Sequence, residues 1–263
     1  MKFTLKLFIF FCLFSPVFNA GAQVQYDWTS AGIKSKPKKV IQKHYLGEGN
    51  GKRLSEIATS EYDRNGKVSS KTLTYSFEGN SGIKTLYNYK NGKLANMISY
   101  QLADTATRDT VWVSYSKNKK EALVEYRDVQ GNKLKSELHI FDTAGREIEL
   151  KALAETRKYV VTYKYNKAGM LVKITRSKPE NPLDGTSRPE DETYTYDAKG
   201  FVSNYIGISS HGLKLVTKTE YPTIDKKGNW TTKIERTESI VIKDNSHLTG
   251  DRAEVFEREI VYY

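Results

Sequence analysis

From Val40 onward the chain alternates polar and apolar residues in short stretches, and polar turns break the alternation at irregular intervals. Val161-Thr162-Tyr163-Lys164-Tyr165 and Thr193-Tyr194-Thr195-Tyr196 show the period of two that places successive side chains on opposite faces of a strand. After the second of these comes Asp197-Ala198-Lys199-Gly200, then Phe201-Val202-Ser203. This reads as strand, tight turn, returning strand. Asp197 is placed to accept a hydrogen bond from a backbone N–H two residues on, and Gly200 to take a positive φ where the strand resumes as a bulge.

The unit recurs. An aromatic, a polar turn, a glycine and an apolar residue follow one another at Tyr62…Gly66…Val68, Tyr89…Gly92…Leu94, Tyr126…Gly131…Leu134, Phe141…Gly145…Ile148, Tyr165…Gly169…Leu171 and Tyr196…Gly200. A seventh copy, Asp225 to Trp230 around Gly228, has no aromatic directly before its Asp. Glycine spacings run from 14 to 39 residues, so the hairpins differ in length. Asn65-Gly66 and Asn91-Gly92 are strong hairpin signals. Across each turn the aromatic is expected to pack on the apolar residue that follows, a pair worth roughly 0.2–1 kcal/mol. The expected fold is all-β: an array of antiparallel hairpins forming an elongated or open rolled sheet, with a first strand at Val40–Tyr45 and a last one at Glu259–Tyr263. Glu121–Glu125 and Glu149–Arg157 admit a helical reading but abut β-rich segments. Ser177–Asp191, with three prolines and a glycine, reads as the longest loop.

The N-terminus departs from this pattern. Lys2 and Lys6 precede the apolar run Leu7–Phe14, then Pro16 and the small-residue end Ala20-Gly21-Ala22, the form of a secretory signal cut before Gln23. Residues 1–22 are therefore expected to be removed, 23–39 to form a basic extended lead-in, and 40–263 to form one repeat domain. The expected location is periplasm, cell surface or medium. The only cysteine, Cys12, lies in the signal, so the exported chain has no thiol or disulfide chemistry and its stability must come from packing and strand pairing.

The formal charge is +11, and loss of Lys2 and Lys6 with the leader leaves +9. In an exported chain this points away from nucleic acid and toward an anionic glycan, lipid head groups or an acidic envelope protein. Lysines on strand faces and edges also discourage sheet-to-sheet aggregation. Basic clusters stand at Lys36–Lys39, Lys117–Lys120 and Lys226-Lys227.

No constellation demands a chemistry. His44, His139, His211 and His247 have no metal-ligand spacing, and no Asp-x-Asp-x-Asp-Gly loop is present, so neither metal nor cofactor is expected. Acidic residues are plentiful, as in Glu190-Asp191-Glu192, but a glycosidase pair cannot be picked out, and the turn aspartates already have a structural use. The most suggestive surface chemistry is aromatic: 18 tyrosines with Trp28, Trp112 and Trp230. Trp112, Trp230, Tyr165 and Tyr196 are the candidate binding residues, with packing as their competing role. Gly66, Gly92, Gly145, Gly169, Gly200 and Gly228 are assigned to turns.

These copies resemble the YD repeats of the RHS family, best at Tyr62-Asp63…Gly66 and Tyr196-Asp197…Gly200, over roughly Tyr62 to Arg236. The resemblance implies a secreted or surface β-sheet structure and brings no catalytic residues. It suggests a small stand-alone exported repeat protein. The functional expectation is a non-catalytic binding or scaffold protein of the bacterial cell envelope, with no membrane-spanning segment. The alternative is a hydrolase of envelope or dietary glycans.

Overall fold

The computed structural model describes residues 32–76, 81–106, 108–116, 120–153, 159–177, 189–209, 212–248 and 252–263. The signal segment, Trp28, the first half of the lead-in, residues 117–119 and most of the 177–191 stretch lie outside them.

The strands are β1 (Pro37–Leu46), β2 (Arg53–Tyr62), β3 (Val68–Tyr75), β4 (Gly82–Lys90), β5 (Lys93–Gln101), β6 (Arg108–Tyr115), β7 (Glu121–Arg127), β8 (Lys133–Phe141) and β9 (Glu147–Ala152). They continue as β10 (Val160–Tyr165), β11 (Leu171–Arg176), β12 (Asp191–Tyr196), β13 (Val202–Ile208), β14 (Leu213–Ile224), β15 (Trp230–Val241), β16 (Ser246–His247) and β17 (Arg252–Tyr262). Every pairing is antiparallel. Glu121–Glu125 is strand, and so is Glu149–Ala152. Pro37, which has no N–H to donate, opens β1, where the ladder does not need one.

The sheet is not an open roll. β17 returns to β1, with Tyr262 opposite Pro37 and Glu254 opposite Leu46, while β15 pairs with β17 and β9 with β10. Sixteen strands thus close into a barrel, and the two-residue β16 is only an appendage to β15. An open array would have left two long strands with a row of unpaired backbone groups each, and closure satisfies both. The lysines consequently have no sheet edge to protect, and that part of their expected role falls away. Sixteen strands about 4.8 Å apart, tilted by about 40°, give a round barrel a backbone radius of roughly 16 Å.

Six turns opened by Asp or Asn share one construction, which Ser209–Gly212 repeats with a serine. In the turn opened by Asp197, the Asp197 N–H donates to Phe201 O at 2.8 Å and the Gly200 N–H to Asp197 O at 3.0 Å. Asp197 Oδ1 accepts the Lys199 and Phe201 N–H groups. Asp63, Asp128, Asp142, Asn166 and Asp225 open turns with the same backbone bonds. The assigned turn glycines have φ between 78° and 85°, a region a side chain enters only at a cost. Register slips by one residue at the motif aromatics, for example between Thr195 and Tyr196, which is the bulge. Asn91-Gly92 is different: both residues have positive φ, giving the two-residue hairpin loop that Asn-Gly favours.

Register assigns the faces. Val40, Tyr62, Val68, Tyr87, Met97, Val111, Val124, Val161, Ile174 and Phe256 share one face and are buried. A barrel crowds side chains on its concave side and splays them on its convex side, so this is the inner face. The outer face carries Lys43, Glu125, Glu149, Lys173, Lys218 and Arg236 within the strands, among threonines and isolated aliphatics. No helix among the described residues is long and apolar enough to cross a membrane.

The two ends differ. Seven hairpins with short connections, the β2–β3, β4–β5, β6–β7, β8–β9, β10–β11, β12–β13 and β14–β15 pairs, bend at the same end, where β1 begins and β17 finishes. This is the turn end. The connections at the opposite loop end are mostly longer.

Candidate functional site

The inner wall is stratified. Near the turn end it is aromatic. Tyr165 sits opposite Leu171 and Tyr196 opposite Val202, as the cross-hairpin pairing requires. Their hydroxyls, however, leave the hairpin. Tyr165 donates to Glu147 O at 2.6 Å and Tyr196 to Leu171 O at 2.6 Å, each in the preceding hairpin. Tyr89 does the same to Val68 O and Tyr221 to Val202 O, both at 3.0 Å. In all four cases the acceptor is the second residue after a turn glycine. The residue directly after the glycine lies against the same ring: Lys67 over Tyr89, Arg146 over Tyr165, Phe201 beside Tyr221. The repeat therefore joins four of the hairpins to the hairpin before them. Burial raises the Tyr196 hydroxyl to about 12 and pushes that of Tyr165 higher still, so both remain donors.

Of the tryptophans, Trp230 is 7 % exposed on the inner wall, where the Arg258 guanidinium stacks on it at 3.6 Å. Trp112 is 48 % exposed on the outer face of β6. The four candidate binding aromatics are thus not brought together. Ile33, from the lead-in, is buried with Val40 and Tyr62, and the Lys34 N–H donates to Asn229 Oδ1, which tucks the lead-in under the turn end.

Between these aromatics and the loop end the inner wall becomes charged, in linked groups that run from His139 and Glu147 beside the β8–β9 turn to Glu192 at the loop end. Glu137 on β8 is 5 % exposed and accepts from Lys135 Nζ and Tyr159 Oη at 3.0 Å and from Tyr126 Oη at 2.9 Å. His139 Nδ1 lies 2.8 Å from Glu147 Oε1, and its Nε2 is 3.8 Å from Glu137 Oε2 with no hydrogen-bond partner. Burial alone would raise Glu137, but the contacts with His139, Lys135 and Tyr126 outweigh it and hold the carboxyl at about 2. Burial alone would lower His139, but its two carboxylate neighbours raise it to about 9. A second group joins Arg176 and Tyr194 to Glu192, with Arg176 also donating to Pro189 O. In a third, Lys233 pairs with Glu235 at 2.7 Å and lies 3.8 Å from the Phe256 ring centroid. His44 stacks on that ring from β1 and bonds Glu254 at 2.9 Å. Arg258, lowered to about 10 by burial, donates to Gln42 at 3.1 Å.

These groups escaped a reading that looked for metal-ligand spacings. Their signal was the hairpin itself: His139 and Glu147 flank the Phe141–Gly145 turn, which folds one toward the other. Among the described residues, no group of three or more His, Cys, Asp or Glu is arranged to hold a metal ion.

No family model matches the chain, and no curated protein matches it. Among solved structures, a porin-like protein from Bacteroides uniformis aligns over 91 % of this chain and 100 % of its own, at 12 % identity and a TM-score of 0.40. Kievitone hydratase from Nectria haematococca aligns over 94 % and 98 %, at 9 % identity and a TM-score of 0.23. At these levels neither likeness bears on function.

Proposed function

We propose that the chain is an exported, non-catalytic binding barrel of the cell envelope, which holds a glycan or protein ligand against the polar half of its inner wall. One observation carries the reading: the acids and bases of that wall are engaged with one another. General acid–base catalysis works best with groups that exchange protons near the working pH, and a glycosidase keeps one carboxyl protonated there. Glu137 at about 2 and His139 at about 9 are held away from that range on both sides. What they offer instead is a fixed array of charge with tyrosines between, the kind of surface that binds hydroxyl-rich or polar ligands by hydrogen bonding and ring contact. The resemblance to YD repeats agrees with an exported binding role. The charged positions within the outer face favour a wall that stands in water, since a lipid-facing barrel carries an apolar band about 25 Å tall.

The test incubates the purified protein with neutral and acidic polysaccharides, following affinity retardation and release of reducing ends together. Retardation without release is the expected result. Release that is abolished in Glu137→Gln would overturn the reading in favour of a hydrolase.

A further inference from the structure

The excess positive charge is not spread evenly over the barrel. On the wall and at the loop end many cations stand beside acids, Lys52 with Glu257, Lys133 with Glu125, Lys173 with Asp191 and Arg236 with Glu220, while others such as Lys218 and Lys243 have no ion pair among the described residues. At the turn end such pairs are fewer, Arg146 with Asp142 being one. Lys90, Lys167, Lys199 and Lys226 are exposed at the tips of four separate hairpins, and none has an acidic partner among the described residues. Arg64 and the exposed lead-in residue Lys36 extend the same ring.

The acids of this end offset it only in part, and they face their own turns. Asp63, Asp197 and Asp225 each accept backbone N–H groups of their own turn at Oδ1, and Asp142 is paired with Arg146. Glu61 and Glu259 lie back on the strands. In the turns opened by Asp197 and Asp225 the carboxylate is bonded within the turn while Lys199 and Lys226 stand exposed, and the turns that carry Lys90 and Lys167 hold Asn in place of an acid. The motif, repeated around a closed wall, makes a rim.

We propose that this turn-end rim is a docking face for a plane of anionic lipid head groups, on which the barrel stands with its loop end facing away. The proposal is independent of what the inner wall holds. Its geometric basis is that the unpaired cations are distributed around the circumference, on a ring whose backbone radius is roughly 16 Å. A small anion could meet one or two of them and a single polymer chain an arc. A flat anionic surface meets all of them at once. The rim tips are Asp, Asn, Thr, Lys, Arg, Ala and Gly, with no large apolar side chain to insert, so the attachment is peripheral and reversed by salt.

The experiment is co-sedimentation of the purified protein with phosphatidylglycerol/phosphatidylcholine vesicles, against phosphatidylcholine alone. Two variants of equal net charge separate location from total charge. One carries Lys90→Glu, Lys167→Glu, Lys199→Glu and Lys226→Glu at the rim. The other carries Lys43→Glu, Lys214→Glu, Lys218→Glu and Lys243→Glu on the wall and loop end. Near an anionic surface each lysine is worth about tenfold or somewhat less in binding, so the rim variant should lose affinity by about 100-fold or more. The wall variant should keep most of it, and wild-type binding should fall steeply with added salt. Equal loss in both variants would overturn the proposal, as would no sedimentation of wild type with the anionic vesicles at low salt. Rim-dependent retention on an acidic polysaccharide but not on vesicles would also overturn it, naming a polymer as partner. None of these outcomes touches the non-catalytic reading of the inner wall, which stands or falls on the reducing-end assay.

Discussion

His139 shows what single residues contribute here and how pH should reveal it. Its imidazole is raised from 6.5 to about 9 and Glu137 is lowered from 4.5 to about 2. A raised base stabilises the fold below its unfolded value and loses that contribution as pH climbs through the folded one. A lowered acid stabilises above its unfolded value and loses that contribution as pH drops through the folded one. Both contributions are complete only between about 4.5 and 6.5. Stability should therefore have a plateau there, fall between 6.5 and 9 as His139 deprotonates, and fall again from 4.5 toward 2. Each limb should amount to about 1–3 kcal/mol. Thermal melts across pH would show it, and His139→Gln should flatten the alkaline limb and also shorten the acid one, because His139 leads the contacts that hold Glu137 down. An alkaline limb unchanged in that variant would mean that the imidazole is not the group responsible.

At the scale of the element, the hairpin was legible and its coupling was not. Asp197, Gly200 and the tyrosines around them declare a turn and two strands because every contact involved lies within a few residues. The tyrosine hydroxyl does not, since its acceptor lies in the preceding hairpin, 25 residues back for Tyr196 and 18 for Tyr165. Nothing local says which hairpin lies alongside. The same gap explains why Tyr165 and Tyr196 read as candidate binding residues: an aromatic with a polar tip in an alternating strand looks alike whether the tip is free or bonded. The bond can be weighed directly. Tyr196→Phe keeps the ring and its packing, removes the donor, and leaves Leu171 O short of a partner, so it should cost about 1 kcal/mol, or up to about 3 if that carbonyl is fully cut off from water. The measurement is denaturant unfolding of the variant beside wild type. Stability within a few tenths of a kcal/mol of wild type would demote the inter-hairpin bond to an incidental contact.

For the whole molecule, the antiparallel hairpin array was readable and its closure was not. Each hairpin announces its own register, but the seam joins β1 to β17, whose partners His44 and Phe256 are more than 200 residues apart. Neither strand carries a sign that it lacks an edge. Proline tests the seam, because it removes one ladder hydrogen bond and is tolerated only where that bond is missing. Along β1 successive N–H groups point alternately to the two neighbours, and Gly47, whose N–H donates to Ala253 O, sets the parity: Lys43 addresses β17 and Gln42 β2. In a closed barrel both N–H groups are engaged, and Gln42→Pro and Lys43→Pro should each destabilise by about 3 kcal/mol or more. An open sheet would make β1 an edge, and one of the two substitutions would then be nearly silent in the unfolding midpoint. Gln42 also accepts from Arg258, so Gln42→Ala, measured alongside, subtracts the side-chain contribution and leaves the backbone effect. Two comparably large backbone effects identify a strand paired on both sides; one large and one small would reopen the barrel.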